Sequence, residues 1–294
     1  MHAFPSFRQL GYLLALHEHR HFGRAAAACF VTQSTLSVGI AELERLLGVR
    51  LVERTKRSLR FTAVGEEVVV RARAVVRAAE DLTEVTSGAR EPLVGPLRLA
   101  TIPTIAPFLL PRLLPAVEQA WPELKLFVRE MLTAAACEAL GQGVIDCVLL
   151  ALPVECGVFD ACPIGVDRLL LAAREGEEAT VEGGRLLLLE DGHCLKDHAL
   201  AACDLSTRAV EATLVASTLH TLVQLVDAGL GVTLLPEMAV ASGILLGTRV
   251  TGRPLDTVDA TRRIALVWRR DHARAAEFRM LGETIRAAAG LRQS

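Results

Sequence analysis

Apolar positions change their rhythm twice along this chain. From residue 5 to 62 they recur every three or four places. Phe7, Leu10, Leu13, Leu14 and Leu16 give a first helix its inner face. Phe22-Gly-Arg-Ala-Ala-Ala-Ala-Cys-Phe30 reads as a short Ala-rich helix. Leu36, Ile40, Leu43 and Leu47 mark a third, with Thr32 as its N-cap and Gly48 as its stop. Leu51 to Phe61 then alternates around a polar, basic turn, the pattern of a two-stranded wing. Residues 63–88 form one long helical pattern. In it Val64, Val68, Arg71, Val75, Ala78, Leu82 and Val85 step by fours and threes, a heptad seam with one charged break. The seam is narrow and the opposite face is charged, so we read a dimerising linker rather than a helix packed only on its own domain. Ser87 to Pro96 is the hinge.

From residue 97 onward short apolar runs alternate with helical ones. Leu97–Thr101, Leu124–Val128, Cys147–Leu152, Arg168–Ala172, Arg185–Leu189, Val232–Leu235 and Ile264–Val267 are the strand candidates. This predicts an α/β body with mostly parallel sheets. Open α/β sheets bind ligands at the carboxyl ends of their strands. Thr101–Thr104 and Glu190–Cys194 lie at such ends.

Charge distribution sharpens the picture. The chain has 294 residues and a net charge of −2. Residues 1–62 carry nine Arg/Lys (8, 20, 24, 45, 50, 54, 56, 57, 60) against four Asp/Glu (18, 42, 44, 53), so +5 there leaves −7 for the remainder. A basic module on a mildly acidic body fits a nucleic-acid reader attached to something else. The N-terminus lacks a basic region followed by an apolar run, and no stretch of about 18 apolar residues appears. A cytoplasmic protein without a membrane partner is therefore expected. No metal-ligand spacing stands out, and no cofactor is expected. His17, His19 and His21 spread around a helix and read as solvated.

Seven cysteines, at 29, 137, 147, 156, 162, 194 and 203, are expected to rest as thiols in a reducing compartment. Cys29, Cys137 and Cys147 read as packing residues, and Cys156 with Cys162 as a weak candidate pair. Cys194 and Cys203 differ. They lie nine apart, after a predicted strand, beside His193 and Lys196. A helix between them would hold them roughly 13 Å apart along its axis. A disulfide needs Cα atoms within about 7 Å. Two cysteines that join only when the segment between them refolds read as a switch.

The N-terminal pattern Phe22-Gly-Arg-Ala-Ala-Ala-Ala-x2-Val-Thr-Gln-Ser-Thr-Leu-Ser-x2-Ile-x2-Leu-Glu-x2-Leu-Gly-x2-Leu-Val-Glu-Arg-Thr resembles the winged helix-turn-helix of LysR-type transcriptional regulators. Such a helix would present Gln33, Ser34, Thr35 and Ser37 to the major groove of a double-stranded DNA operator, with Arg54, Lys56 and Arg57 of the wing on phosphates. After Ser37 this chain is neutral to acidic, Val38-Gly-Ile-Ala-Glu-Leu-Glu, where the family often has basic residues. The remainder resembles the regulatory domain of that family. Within it, Glu190-Asp-Gly-His-Cys-Leu-Lys-Asp-His-Ala is similar to the OxyR-type hydrogen peroxide sensors, as are Ile102-Pro-Thr104 and Ala228-Gly-Leu-Gly-Val-Thr-Leu-Leu-Pro236. The resemblance implies two Rossmann-like, periplasmic-binding-protein-like lobes behind the reader and linker. The expected boundaries are 1–62, 63–90 and 91–294, with lobe I at about 91–165 and 267–294 and lobe II at about 166–266. It also implies Cys194 as the peroxidatic and Cys203 as the resolving cysteine, and a peroxide pocket of Thr104, Thr133, His193, Asp197 and Arg269. It implies a homotetramer, RNA polymerase as a partner, glutaredoxin or thioredoxin-type reductants, and activation of antioxidant genes under oxidative stress.

The chemistry agrees with that resemblance. Peroxide is attacked by thiolate, and a sulfur at a helix start faces backbone N–H groups that favour an anion. Hydroxyl and imidazole donors can stabilise the departing oxygen, and the sulfenic acid condenses with a second thiol. One alternative keeps the DNA reader but puts a small organic ligand between the lobes. A peroxide-consuming enzyme fits poorly, because a DNA reader and a long linker helix serve no turnover. A transporter's solute-binding protein fits the body but not the missing export signal.

Overall fold

The structure, a computed structural model, describes residues 4–54, 59–86, 91–154, 156–177, 185–202, 215–255, 260–270 and 272–293. Two compact units divide it near residue 90, and each is described by itself.

In the first unit, α1 (Phe7–His19) starts at Ser6. The Ser6 hydroxyl accepts the Gln9 N–H at 3.2 Å while the Gln9 side chain accepts the Ser6 N–H at 2.9 Å, a reciprocal cap. A histidine caps α2 (Phe22–Ala28): His21 Nδ1 accepts the Gly23 and Arg24 N–H groups at 3.1 and 3.3 Å. Thr32 caps α3 (Gln33–Leu47), and Gly48 ends it in the left-handed conformation. Leu10, Leu13, Leu16, Ala25, Leu36, Ile40, Leu43 and Leu51 form the core between these helices. At Gly39 a Cβ would come within 2.6 Å of the Tyr12 ring, so only glycine lets α1 and α3 close on each other there.

The wing is β1 (Val52–Arg54) paired antiparallel with β2 (Leu59–Phe61). Glu44 explains the acidic character of α3. Its Oε1 accepts the N–H groups of Leu51 and Val52 at 2.7 and 3.0 Å, so the carboxylate anchors the start of the wing. Two of the three histidines, His17 and His21, are not simply solvated, contrary to the sequence reading. Besides the His21 cap, His17 Nε2 lies 2.7 Å from Glu66 Oε2, and Arg20 joins the same carboxylate at 3.1 Å. These contacts tie α1 to α4 (Ala63–Thr86).

The long helix α4 has two apolar faces. Val69 and Ala72 are buried in the core of the unit, whereas Val64 and Val75 of the predicted seam are about half exposed, at 46 % and 49 %. Gly65 fixes how α4 enters. A Cβ there would collide with the Leu51 carbonyl oxygen, which already accepts the Thr62 N–H at 3.0 Å and cannot retreat. Gly65→Ala is expected to cost this unit about 1–3 kcal/mol, read as a lower urea midpoint with an unchanged slope.

The second unit is an α/β body. Its elements are β3 (Gly95–Thr101), α5 (Ala106–Ala120), β4 (Leu124–Glu130), α6 (Thr133–Gly141), β5 (Cys147–Leu152), β6 (Phe159–Arg174), β7 (Leu188–Leu189), α7 (Cys194–Ala202), β8 (Val215–Ala216), α8 (Leu219–Asp227), β9 (Thr233–Pro236), α9 (Glu237–Ala241), β10 (Val250–Arg253), β11 (Thr261–Arg269) and α10 (Ala275–Ala289). Strand order in the main sheet is β10-β6-β11-β5-β3-β4, with β9 also on β6. The sheet is mixed rather than mostly parallel. β3 pairs parallel with β4 and β5, but β11 runs antiparallel to both β5 and β6, and β9 and β10 antiparallel to β6. The reason is the long β6. Its first part, to Arg168, pairs with β11, and Leu169–Arg174 pairs with β9 and β10. One strand therefore serves both halves of the body. The register shifts between Ile264 and Ala265, opposite Pro163 and Gly165. A Cβ at Gly165 would meet Leu291 Cβ at 2.6 Å, so α10's trailing segment packs directly on the backbone of β6.

Candidate functional site

Three segments meet here, at the carboxyl ends of β3 and β4 and at the start of α7. Thr101 ends β3 and Thr104 follows it, Thr133 opens α6, and His193 precedes Cys194, the first residue of α7. All five are buried. The Met131 N–H donates to the Thr101 carbonyl at 3.0 Å, and the Thr133 N–H donates to the Gly192 carbonyl at 3.3 Å. The loop that carries Cys194 is thus bonded to the first turn of α6. Two hydroxyls here, Thr101 Oγ1 and Thr133 Oγ1, are buried without a hydrogen-bond partner. Buried polar groups are rarely left unpaired, so each hydroxyl has a hydrogen bond left to give to a water or another small polar molecule.

Thr104 is held from the other side. Arg262, fully buried, donates from one guanidinium nitrogen to Thr104 Oγ1 at 2.8 Å and from another to the Thr104 carbonyl at 3.0 Å. The same guanidinium pairs with buried Asp167 through contacts of 3.0 and 2.9 Å. Asp167 Oδ1 also accepts the Met238 N–H at 3.0 Å. Both oxygens of the Asp167 carboxylate are thus hydrogen-bonded, which offsets the cost of burying the ion pair.

The helix start positions Cys194, which is a free thiol. Lys196 does not point inward. Its ammonium pairs at 2.6 Å with exposed Asp191. Asp197 is exposed on the same helix. His193 hydrogen-bonds the backbone at Ser217, and burial pushes its imidazole below the ordinary value, only partly offset by Glu190 and Glu130. His198, one turn beyond Cys194, is pushed down by burial and then by the Arg262 charge. Asp197 and the carbonyl of Pro153 pull the other way. Both rings favour the neutral form when folded. As pH falls through the unfolded value of about 6.5, the unfolded chain takes up protons first, so stability falls toward acid. Between pH 7.5 and 5.5 the melting temperature of the protein is expected to drop. A His193→Asn, His198→Asn double variant is expected to show a smaller drop over the same range.

Of the pocket residues expected from sequence, Thr104, Thr133 and His193 are buried around this loop. Arg269 is half-buried at the end of β11, opposite Phe159, and the guanidinium on Thr104 belongs to Arg262 instead. Arg262, Asp167 and Thr101 were missed. A signal existed: Asp167 is a lone acid inside the apolar run Ile164-Gly-Val-Asp-Arg-Leu-Leu-Leu171, which asks for a buried cation. Cys203 lies outside the described residues, as do Lys56 and Arg57 of the wing. Cys137 is not a packing cysteine. Its sulfur lies within bonding reach of Cys156, with Cα atoms 4.8 Å apart, so the partner placed for Cys156 is Cys137 rather than Cys162. Cys162 faces Arg286 at 3.4 Å instead. Cys147 is fully buried in β5, and burial pushes its thiol well up.

The second candidate face is on α3. Gln33, Ser34 and Thr35 are exposed and Ser37 is half-buried. Thr32 Oγ1 lies 2.8 Å from both Ser34 Oγ and Thr35 Oγ1, so the cap also pre-orients these hydroxyls. Arg54 belongs to β1 of the wing. Among the described residues, no group of three or more His, Cys, Asp or Glu is arranged to hold a metal. Within the same residues, no single helix is long and apolar enough to cross a membrane.

A polar first-turn face beside a wing, followed by a long helix and a two-halved α/β body, defines a DNA-binding regulator with an effector domain. Residues 7–66 match the bacterial regulatory helix-turn-helix of the LysR family, and residues 90–290 match the LysR substrate binding domain. The chain belongs to the LysR family. It is 41 % identical to the HTH-type transcriptional regulator EstR of Acinetobacter baylyi, over 97 % of this chain and 98 % of that one. It is 39 % identical to the DNA-binding transcriptional dual regulator OxyR of Escherichia coli, over 96 % and 95 %. A full-length OxyR variant from Pseudomonas aeruginosa superposes with a TM-score of 0.81 at 32 % identity, covering 98 % of this chain and all of that one. An H2O2-bound OxyR variant from Corynebacterium glutamicum gives 0.66 at 32 % identity, covering 98 % and 94 %.

Proposed function

We propose that this protein is an OxyR-type transcription factor that senses hydrogen peroxide at Cys194. The observation that carries the reading is the pairing of a buried thiol at the start of α7 with an unsatisfied threonine hydroxyl, Thr133, on the helix start bonded to its loop. Similarity to OxyR of Escherichia coli and to proteins named hydrogen peroxide-inducible genes activator in other bacteria supports it.

In this reading peroxide is held by the hydroxyls of Thr133 and Thr101, with Thr104 fixed by Arg262. The Cys194 thiolate attacks one oxygen, the O–O bond breaks, and the departing hydroxide leaves as water after taking a proton. Neutral His193 serves as a hydrogen-bond partner during that step. Cys203 then attacks the sulfenic sulfur, expels the second oxygen as water and leaves a Cys194–Cys203 disulfide. Closing that bond unwinds α7, and the change in the regulatory domain alters how the reader sits on its operator. Gln33, Ser34, Thr35 and Ser37 read the major groove, and Arg54, Lys56 and Arg57 contact phosphates. The exposed Val64/Val75 seam of α4 pairs two readers, and regulatory domains pair again to give a tetramer. RNA polymerase is the downstream partner, a glutaredoxin or thioredoxin-type dithiol resets the switch, and the protein works in the cytoplasm on antioxidant genes.

The test is peroxide titration of the purified protein with disulfides mapped by mass spectrometry. A Cys194–Cys203 peptide at about one equivalent supports the reading. Both thiols surviving ten equivalents ends it.

A second reading rests on the match of residues 90–290 to the LysR substrate binding domain: a small organic ligand seated between the two halves of the effector domain. A ligand that raises the melting temperature while Cys194 stays inert to peroxide would favour it.

A further inference from the structure

The Cys137–Cys156 bond is not used by the peroxide chemistry above, yet both of its ends touch the elements that build the site. Cys137 lies four residues after Thr133 on α6, on the same helix face one turn away. The first turn of α6 is what donates to the Cys194 loop, through Thr133 N–H and the Gly192 carbonyl. Cys156 follows the end of β5 by four residues, three beyond Pro153. The backbone at Pro153 lies near the ring of His198, one turn after Cys194 on α7. The disulfide therefore joins the helix that presents Thr133 to the loop that abuts the helix carrying the reactive sulfur.

Its two sulfurs differ in access. Cys137 is buried at 8 % exposure, whereas Cys156 is half-buried beside exposed Gly157, which turns the chain with a positive φ of 75°. A thiol from solution can thus reach one end of the bond. A DNA reader works where DNA is, in a compartment whose thiol pools reduce idle disulfides. A disulfide that forms there and stays reachable is one that opens and closes.

We propose that Cys137 and Cys156 are a second redox couple, separate from Cys194, which sets the position of the α6 first turn and so tunes the reactivity of Cys194. To close it, the Cys156 thiolate attacks a hydrogen peroxide oxygen, the O–O bond breaks, and hydroxide leaves as water after taking a proton. Cys137 then displaces the remaining oxygen of the sulfenic acid as a second water. Two thiols and one peroxide become one disulfide and two waters. To open it, a dithiol reductant attacks Cys156, Cys137 leaves as a thiolate and is protonated, and the second thiol of the reductant frees Cys156 while the reductant becomes a disulfide. The couple goes beyond the Cys194 reading, and only its tuning effect refers to that residue.

The experiment has two arms on the full-length chain. In the first, Cys194→Ser protein is equilibrated across ratios of reduced to oxidised dithiothreitol and the free thiols are mapped. Cys137 and Cys156 are expected to titrate together as one two-electron step while the protein stays folded by circular dichroism. A bond that never opens in folded protein, or never forms at the oxidising end, overturns the couple. In the second arm, Cys203→Ser protein is held with the Cys137–Cys156 bond open or closed, and Cys194 is alkylated by iodoacetamide. A several-fold difference in rate is expected, and it should vanish in Cys203→Ser, Cys156→Ser protein. Equal rates in the open and closed forms overturn the tuning effect. The comparison within Cys203→Ser stands even if the double variant misfolds. Neither arm uses peroxide at Cys194, so an inert Cys194 would defeat the proposed function without touching this result.

Discussion

Cys194→Ser protein is expected to lose its peroxide response completely while keeping its fold and its affinity for DNA. Serine preserves the volume of a side chain that is only 8 % exposed. It offers no anion at neutral pH, so attack on the O–O bond should slow by on the order of 10³-fold or more. A reporter driven from the operator should stay at its uninduced level over peroxide concentrations that saturate the wild type. Cys203→Ser should behave differently. The first step survives, and sulfenic acid at Cys194 accumulates and is trapped by dimedone. Normal induction in the Cys194→Ser strain would remove this sulfur from the mechanism.

Arg262→Met should give the largest stability effect. The guanidinium is wholly buried and serves Asp167 and Thr104 together. Removing it strands a buried carboxylate, a loss of about 3–5 kcal/mol, or on the order of 10 °C in melting temperature for a unit of this size. An Asp167→Leu, Arg262→Met double variant removes the stranded charge. It should recover only in part, because Asp167 Oδ1 also accepts the Met238 N–H. In both variants Thr104 loses its anchor. Alkylation of Cys194 by a neutral reagent should change little, while its oxidation by peroxide should slow. Equal slowing of both would mean that the thiol itself, not the pocket, was disturbed.

The reader and linker were legible in the sequence because local rules govern them. Thr32, Gly48 and the Leu36-Ile40-Leu43 stripe gave α3 its start, stop and inner face. The seam through Val64 and Val75 announced a helix with a face left over. Glu44 looked like a flaw in a DNA-binding helix. Its partners, the backbone N–H groups of Leu51 and Val52, are invisible without the fold. The strands were largely found, but their directions were not. Pro163 and Gly165 break the apolar run of β6, so a strand of 16 residues read as a shorter one. Its antiparallel pairing then went unseen, although β9 and β11 themselves were among the strand candidates. Cys194 was visible from its neighbours. Arg262 was not, because its two partners are 95 and 158 residues away in sequence. Cys137 and Cys156 escaped for the same reason: nothing in a spacing of 19 residues says that a helix and a loop bring them within 4.8 Å.

β6 carries one more implication. Because it hydrogen-bonds β11 along one stretch and β9 and β10 along the next, the two halves share a continuous backbone. Shortly before the changeover at Arg168 and Leu169, Gly165 is pressed against the segment after α10. A clamshell that shuts on its cargo has to flex near that seam, against this close contact. A trigger that instead rewrites a few turns of chain around one sulfur leaves the spine of the body untouched. Such a frame suits a signal delivered by bond-making better than one delivered by a captured molecule.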